Sequence, residues 1–249
     1  MVAADTLAQP AVKADPRLII PLDLPSVDEA RAMVEALGDA VSFYKVGLEL
    51  FAGGEGMTLA RELKGSGKQV FLDWKLHDIG TTVQRATAVL AGSGCDFLTV
   101  HGEPQVMASA VRGKGASNLK ILAVTVLTSL TDEDLIETGY HESARALVER
   151  RIHQAIATGC DGVIASPHEA ELARKLGGKD FLVVTPGVRP DWSAKNDQAR
   201  AATPSEALEA GASHIVCGRP ITAANDPQAA ARRVAAEMAG VGGTETVRI

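Results

Sequence analysis

Aromatic residues are scarce in this chain: they make up 4% of its 249 residues, although 46% of the residues are hydrophobic. The core must therefore be built mainly from small and branched aliphatic side chains, and alanine, valine, leucine and glycine are plentiful. A chain of this length can bury one large core. The composition indicates an α/β domain in which aliphatic strands are covered by alanine-rich helices.

The chain also lacks an excess of positive charge. Its net charge is −6 and its pI is about 5.5, so no overall positive field would attract nucleic acid or an anionic membrane. No hydrophobic run approaches transmembrane length, and the first residues, "MVAADTLAQPAVKADP", lack the apolar segment of a signal peptide. We expect a cytoplasmic protein without nucleic-acid or membrane partners, in which local positive groups hold any anionic ligand.

Metal and nucleophile motifs are missing as well. The three cysteines, Cys95, Cys160 and Cys217, form no CxxC pair and are interpreted as reduced core residues. The six histidines show no HxH or HExxH spacing, and His77 and His101 are interpreted as structural residues near strand ends. No GxSxG or Cys/His arrangement indicates a covalent nucleophile. The sequence therefore predicts neither a metal nor a cofactor.

What the sequence does contain is an alternation of short apolar runs and longer amphipathic stretches. Near-continuous apolar strands separated by helices are typical of a parallel sheet, and eight such units indicate a single-domain (β/α)₈ TIM barrel. A doubly wound sheet is the alternative, but no glycine fingerprint follows the first strand, which ends in "PLDLPS". The predicted strands span residues 17–23, 41–47, 68–75, 95–101, 119–128, 160–166, 180–188 and 212–218. We assign residues 1–16 to a flexible extension, 17–240 to the barrel and 241–249 to a tail.

Polar residues fall repeatedly at the carboxyl ends of these strands, where barrels of this kind carry their chemistry. Asp73 and Lys75, in "FLDWKLHDIG", are two residues apart and so share a face of the third strand. Lys45 on the neighbouring strand supplies a second ammonium, and Asp78 follows across a short turn. Together the four predict a charged catalytic site; the alternative is an ion-pair network that closes the barrel, and Asp78 taken alone fits a cap of the third helix.

The last two strands predict a phosphate site. "TPGVRP" and "CGRPI" each place a glycine and an arginine, Arg189 and Arg219, just past a strand end, although either segment alone fits an ordinary turn. Residues 187–203 form a long connection typical of a lid or of a disordered segment; as a lid, it would fold Arg189 and Gln198 over a phosphate. Trp192 is either an apolar anchor of this connection or an exposed side chain.

These motifs resemble the orotidine 5′-phosphate decarboxylase family, bacterial type. "FLDWKLHDIGTTV" is similar to its Asp-x-Lys-x-x-Asp signature, and "PLD", "YKVG", "VTVLTS", "TPGVRP" and "GRPI" are similar to its other motifs, in the same order over residues 17–221. The resemblance implies a homodimeric (β/α)₈ barrel that decarboxylates orotidine 5′-monophosphate (OMP) to UMP, the last step of de novo pyrimidine synthesis, without metal or cofactor.

The resemblance also implies roles for individual residues. Asp78 would come from the partner subunit of the dimer, with Thr82 beside it, and Thr128 would bond the pyrimidine. The chain departs from the family pattern at Gly80 and Thr81, where Pro-Asn is common, and at Trp74, where a smaller apolar residue is common. The implied catalytic tetrad is Lys45, Asp73, Lys75 and Asp78; Asp23 and Lys45 would hold the ribose hydroxyls, and Arg189, Gln198, Gly218 and Arg219 the phosphate.

Two alternatives remain open at this point. A related group of sugar-phosphate barrels shares Asp-x-Lys-x-x-Asp but uses Mg²⁺, with a carboxylate near the position of Lys45, so the lysine disfavours that group. A non-catalytic sensor of phosphorylated ligands would keep the pocket without needing two lysines and two aspartates crowded together.

Overall fold

The computed structural model of the protein describes residues 14–127, 129–193 and 202–241. Its eight strands pair in sequence order, all parallel, and close into a barrel in which β8 returns to β1. The predicted single-domain (β/α)₈ barrel is confirmed, and the doubly wound alternative is wrong. The strands are β1 (Leu18–Pro21), β2 (Phe43–Val46), β3 (Gln69–Leu76), β4 (Phe97–His101), β5 (Lys120–Val124), β6 (Gly162–Ile164), β7 (Leu182–Thr185) and β8 (His214–Val216).

Each strand is followed by at least one helix among the described residues, as the (β/α)₈ pattern requires. Short helices supplement the main ones after β2, β5 and β8, where the sequence pattern alone indicates a single helical region. The helices are α1 (Val27–Leu37), α2 (Leu48–Ala52), α3 (Gly56–Gly65), α4 (Gly80–Ala91), α5 (Pro104–Lys114), α6 (Asp132–Glu137), α7 (Ala144–Thr158), α8 (Pro167–Gly177), α9 (Pro204–Glu209), α10 (Arg219–Thr222) and α11 (Pro227–Ala239). No helix in these described ranges is both long and apolar enough to span a membrane.

The strands divide their side chains between two cores, because successive residues of a strand point to opposite faces. The larger core lies between the sheet and the helices. The smaller one fills the barrel interior and contains three of the five phenylalanines of the chain. Its buried members are Ile19, Phe43, Phe71, Phe97, Leu122, Val184 and Val216. This apolar cluster lies directly below the carboxyl end of the barrel, and Phe71, Val184 and Val216 also line the cavity there.

At the amino-terminal end of the barrel, the same arrangement occurs twice: an aspartate just before a strand accepts hydrogen bonds from a lysine and from a backbone N–H of the preceding strand. Asp96, just before β4, accepts hydrogen bonds from Lys64 Nζ at 2.8 Å and from the Val70 backbone N–H at 2.7 Å. Asp161, just before β6, accepts from Lys114 Nζ at 2.6 Å and from a backbone N–H of β5 at 2.8 Å. The cysteines that precede these aspartates, like Cys217, are free and buried, as the sequence predicts. This end of the barrel therefore serves stability.

Candidate active site

A cavity of about 200 Å³ opens at the carboxyl end of the barrel, above the apolar interior. Three charged residues, Lys45, Asp73 and Lys75, line one side of it. The remaining lining is apolar and comes from the ends of β3, β5, β6, β7 and β8: Phe71, Val124, Val126, Leu127, Ile164, Val184, Pro186 and Val216. A charged wall facing an apolar one suits a ligand whose reacting part must be kept from water.

Asp73 is the centre of the charged wall. Its Oδ1 accepts hydrogen bonds from Lys75 Nζ at 2.8 Å and from Thr99 Oγ1 at 2.9 Å, while its Oδ2 lies 3.3 Å from Lys45 Nζ. Burial by itself would raise the pKa of Asp73, but the charges of Lys45 and Lys75 and the hydrogen bonds from Lys75 and Thr99 outweigh it. The pKa of Asp73 therefore lies below its usual value, and the carboxylate is ionised at neutral pH.

Lys45, at the end of β2, is a buried ammonium that lies between two carboxylates. Only 8% of the residue is exposed, and Nζ donates to both oxygens of Asp23, at 2.9 and 3.1 Å, besides its approach to Asp73. Such a buried charge is tolerated because it is paired on both sides. The structure thus brings Asp23, Lys45, Asp73 and Lys75 into one continuous network, as the strand-end argument predicts.

Gly47 makes room for this network. A Cβ atom at this position would lie 2.2 Å from Asp23 Oδ1 and 3.3 Å from Lys45 Nζ, so any side chain would collide with the Asp23 carboxylate. Sequence reasoning treated this glycine only as part of a motif. The signal available in the sequence was its position directly after β2, two residues beyond Lys45.

The third strand is irregular where it carries Asp73 and Lys75. Its pairing with β4 is regular at Leu72, opposite Leu98, and resumes only at Leu76, opposite Val100. Three residues of β3 therefore stand opposite the single residue between Leu98 and Val100. Lys75 adopts a positive φ of 47°, the only non-glycine residue of the described chain to do so. Both side chains face the cavity, as predicted, although the strand is not regular there.

Asp78 and Thr82 lie apart from this network in the single chain. Asp78 is exposed, accepts a 2.6 Å hydrogen bond from the adjacent Ile79 N–H, and forms no ion pair with any residue in the described ranges. The N-cap residue of α4 is Ile79, so the interpretation of Asp78 as the cap of this helix is wrong. Thr82, in the first turn of α4, is also exposed.

The candidate phosphate residues follow two hydrogen-bonded neighbouring strands, β7 and β8. Arg189 is half-buried, and its backbone N–H donates to Ala202 O at 2.9 Å, which brings the two ends of the long connection together. Arg219 is exposed at the first position of α10, directly after Gly218, the N-cap residue. Thr128 and Gln198 lie outside the described residues.

Trp192 anchors the start of the long connection. Its ring packs against the large core and lies under the guanidinium of Arg233, 4.5 Å from the ring centroid. Of the two readings that the sequence leaves open for Trp192, the apolar anchor is therefore confirmed.

A group of two histidines and a glutamate stands beside the cavity. The rings of His77 and His101 lie 4.8 Å apart, and their nitrogens and a Glu103 oxygen lie within 4.8 Å of one another. Glu103 already pairs with Arg151 at 3.0 Å, so a metal ion would have to compete with a guanidinium for this carboxylate. Burial lowers the pKa of His101, which keeps its ring neutral near pH 7. His77 Nε2 lies 3.7 Å from Glu103 Oε2, beyond hydrogen-bond distance, so the described contact that holds Glu103 in this group is its ion pair with Arg151.

Thr99 contacts the charged wall from outside the cavity lining and is a residue that sequence reasoning missed. It lies in the middle of β4, is fully buried, and contacts both Asp73 and Lys75. The signal was present in "CDFLTVH", where one threonine interrupts an otherwise apolar strand next to the strand that carries Asp73. Its partners could not be read from the sequence, because they depend on the irregular register of β3.

Together, the closed barrel and the paired lysines and aspartates at its carboxyl end define a (β/α)₈ barrel with a charged candidate active site. Comparison with known proteins agrees: residues 16–234 match the family model "Orotidine 5'-phosphate decarboxylase / HUMPS family". The chain is 75% identical over 230 residues to an orotidine 5'-phosphate decarboxylase from Caulobacter sp. (strain K31), covering 92% of this chain and 100% of that one. A relative of the same name from Rhodopseudomonas palustris (strain BisB5) is 52% identical over 231 residues, covering 91% of this chain and 98% of that one.

Solved structures of this fold give the same result. The crystal structure of an orotidine 5'-phosphate decarboxylase from Lactobacillus acidophilus superposes with a TM-score of 0.79 at 38% identity, covering 90% of this chain and 99% of that one. The corresponding enzyme from Pyrococcus horikoshii OT3 gives a TM-score of 0.72 at 26% identity, covering 90% and 100%. The chain therefore belongs to the orotidine 5'-phosphate decarboxylase / HUMPS family.

Proposed function

We propose that this chain is an OMP decarboxylase, a carboxy-lyase that converts OMP and a proton to UMP and CO₂. The observation that carries the proposal is the Lys75 ammonium, held 2.8 Å from Asp73 at the edge of an apolar-floored cavity. Cleavage of the bond between C6 of the pyrimidine and its carboxylate leaves the electron pair on C6, with no adjacent carbonyl in position to delocalise it. A positioned cation is the group that such a reaction needs.

Lys75 has two tasks in this proposal. Its ammonium stabilises the negative charge that develops on C6 as CO₂ departs, and one of its protons then forms the new C6–H bond. The neutral amine regains its proton from water before the next turnover. Asp73 keeps the ammonium in place through Oδ1 and faces the substrate carboxylate, where repulsion favours the loss of CO₂.

The other groups bind the parts of the nucleotide that do not react. Asp23 and Lys45, which are hydrogen-bonded to each other, hold the ribose hydroxyls. Arg189, Gly218 and Arg219 hold the phosphate, with Gln198 from the connection between Arg189 and Ala202, and Thr128 bonds the pyrimidine. Binding of the distant phosphate supplies energy that assembles the site, and so raises kcat.

The complete site requires a second copy of the chain. Asp78 is exposed and has no cationic partner among the described residues of its own chain, which fits a carboxylate that reaches into the site of a partner subunit, with Thr82 beside it. Exposed apolar side chains also follow the carboxyl ends of β2, β3 and β5, and a homodimer formed at this end of the barrel would cover them: Leu48, Phe51, Ile79, Leu127 and Leu130. A C₂ dimer would then contain two identical sites, each built from both chains.

The Mg²⁺-dependent sugar-phosphate barrels are the competing members of the same family. In this chain the ammonium of Lys45 lies between the carboxylates of Asp23 and Asp73, at 2.9 and 3.3 Å. A divalent cation between the same carboxylates would meet a like charge at contact distance, which is strongly unfavourable in a buried site. The charge arrangement therefore favours chemistry without a metal.

The proposal is tested by following the ultraviolet absorbance of OMP with purified protein in excess EDTA. We expect conversion to UMP at the same rate with and without EDTA. Turnover that depends strictly on added Mg²⁺ would support the sugar-phosphate group instead. A folded protein that binds UMP but does not turn over OMP would contradict the enzymatic proposal and favour a sensor of phosphorylated ligands.

A further inference from the structure

Thr99 connects the two residues on which the proposed chemistry depends. It lies in β4, is fully buried, and is outside the cavity lining. Its Oγ1 accepts a hydrogen bond from the Lys75 backbone N–H at 3.0 Å and donates one to Asp73 Oδ1 at 2.9 Å. One hydroxyl therefore contacts the backbone of the proposed proton donor and the carboxylate that orients it.

The position of Thr99 explains why a hydroxyl is needed. Asp73, Trp74 and Lys75 all stand opposite this single residue, so the regular ladder of backbone hydrogen bonds between β3 and β4 is interrupted. The Lys75 N–H would be left without a partner in a buried strand, which is unfavourable. The Thr99 hydroxyl replaces the missing backbone acceptor.

The same contact fixes the direction of the hydroxyl hydrogen. A threonine hydroxyl has a single hydrogen to donate while it accepts from another group. The two acceptors within reach are Asp73 Oδ1 at 2.9 Å and Leu72 O at 3.5 Å, and the shorter contact to an ionised oxygen is the stronger one. Thr99 therefore donates to the oxygen that also receives the Lys75 ammonium.

These contacts hold an unusual backbone. Lys75 is the only non-glycine residue among those described with a positive φ, 47°, a region that residues with a side chain rarely adopt. Such a conformation persists only where its surroundings determine it. Thr99 forms hydrogen bonds at both ends of the irregular segment, with the carboxylate of Asp73 and with the backbone N–H of Lys75.

We propose that Thr99 is a positioning residue of the active site, whose hydroxyl holds the Asp73 carboxylate and the Lys75 backbone in their reactive arrangement. Thr99 acts through these two residues and does not touch the substrate. The inference rests on the proposed decarboxylase function and adds to it a residue beyond the charged tetrad.

The test compares kcat for OMP in Thr99→Val and Thr99→Ser, with each rate divided by the concentration of UMP-binding sites. Thr99→Val keeps the shape of the side chain but removes the hydroxyl. We expect it to lower kcat by about 10- to 100-fold, or roughly 1.4 to 2.7 kcal/mol, with the Kd for UMP within about threefold of wild type. Thr99→Ser keeps the hydroxyl and should restore kcat to within about threefold.

Thr87→Val is the matched control. Thr87, in α4, is also fully buried, but its hydroxyl has no hydrogen-bond partner in the described structure, so its loss should leave kcat unchanged. If Thr99→Val does not fold, Thr99→Cys, which has a much weaker donor, carries the test and should also lower kcat. A wild-type kcat per binding site in the hydroxyl-free variant, or a serine variant as slow as the valine one, would overturn the inference. Absence of turnover by the wild type would instead contradict the proposed function.

Discussion

Asp73 and Lys75 lie two residues apart in β3, and the Lys75 ammonium donates a 2.8 Å hydrogen bond to the Asp73 carboxylate although the strand between them is irregular. The pair is held from two sides, by the ammonium of Lys45 and by the hydroxyl of Thr99. A charged pair fixed in this way does not have to reorient when charge develops on a substrate. Such preorganisation is the main reason why charged groups lower the activation free energy in enzymes.

The assignment of Arg219 to the phosphate predicts a selective loss of affinity. Arg219→Ala removes a guanidinium just past β8, so UMP should bind about 10- to 100-fold more weakly, in line with a charge-assisted hydrogen bond, while uridine binding changes little. Isothermal titration with both ligands measures the difference, and Arg61→Ala, an exposed arginine in α3, is the control. Equal losses for uridine and UMP would show that Arg219 does not contact the phosphate.

The close approach of Gly47 to Asp23 predicts that a side chain at position 47 disturbs the Asp23–Lys45 pair, which is proposed to bind the ribose hydroxyls. In Gly47→Ala the new methyl group would lie 2.2 Å from Asp23 Oδ1, so the carboxylate must move away from Lys45. We expect kcat/KM for OMP to fall by at least about tenfold, or roughly 1.4 kcal/mol, while the protein stays folded. Gly65→Ala, where a Cβ would meet nothing within 4 Å, is the control. An unchanged kcat/KM in Gly47→Ala would contradict a role for the Asp23–Lys45 pair in binding.

The burial of His214, which lies at the amino-terminal end of the barrel, predicts that the protein loses stability at low pH. Its ring packs edge-on against Phe43 and Phe97, and burial lowers its pKa to about 4; the charge of Asp15 raises this pKa slightly and the charge of Arg17 lowers it slightly. Above its usual pKa of about 6.5, His214 is neutral in both the folded and the unfolded chain and does not affect stability. Between pH 6.5 and 4 only the unfolded chain takes up the proton, so the free energy of unfolding falls as the pH falls.

The measurement is urea unfolding at pH 7.5 and at pH 4.5 for wild type, His214→Gln and the exposed control His153→Gln. Because the ring keeps some access to water, we expect wild type to lose about 1 to 3 kcal/mol more than His214→Gln over this range. The His153→Gln variant should behave as wild type does. The same pH dependence in all three proteins would show that His214 is not the responsible group.

The proposed sharing of the site between two chains predicts that two inactive variants restore each other. A mixed dimer of Lys75→Ala and Asp78→Asn chains has one doubly altered site and one site with both native residues. After random reassortment about half of the dimers are mixed, so activity should return to roughly a quarter of wild type, given C₂ symmetry and independent sites. The two variants are unfolded, mixed, refolded and assayed against each refolded alone. If subunit exchange is verified and activity stays at the level of the single variants, Asp78 serves its own chain.

The sequence was sufficient to predict the barrel and the cluster of charged residues at its carboxyl end. Periodicity indicated eight strand–helix units, and the strand-end rule placed Asp73 and Lys75 at the carboxyl end of the third strand. Asp23 and Lys45 were likewise expected near them. These predictions succeeded because they depend on chain order and on where each strand ends, both of which can be read from a single sequence.

Contacts that depend on exact register could not be predicted. The irregular pairing of β3 and β4 places three residues opposite Thr99, and no periodicity reports it. The close approach between Gly47 and Asp23 joins residues from the ends of two different strands, and its distance is set by the barrel rather than by either segment. Asp78 was interpreted in isolation as a helix cap, yet α4 begins after Ile79.

In the proposed reaction, the ammonium of Lys75 carries both the charge stabilisation and the protonation at C6. The decisive measurement of this claim is kcat for OMP in Lys75→Ala, with the rate divided by the concentration of UMP-binding sites. Lys120→Ala, which alters a lysine at the opposite end of the barrel, is the control. We expect Lys75→Ala to bind UMP but to lose nearly all turnover, and Lys120→Ala to match wild type. A kcat for Lys75→Ala within about tenfold of wild type, a loss of no more than about 1.4 kcal/mol, would contradict the claim.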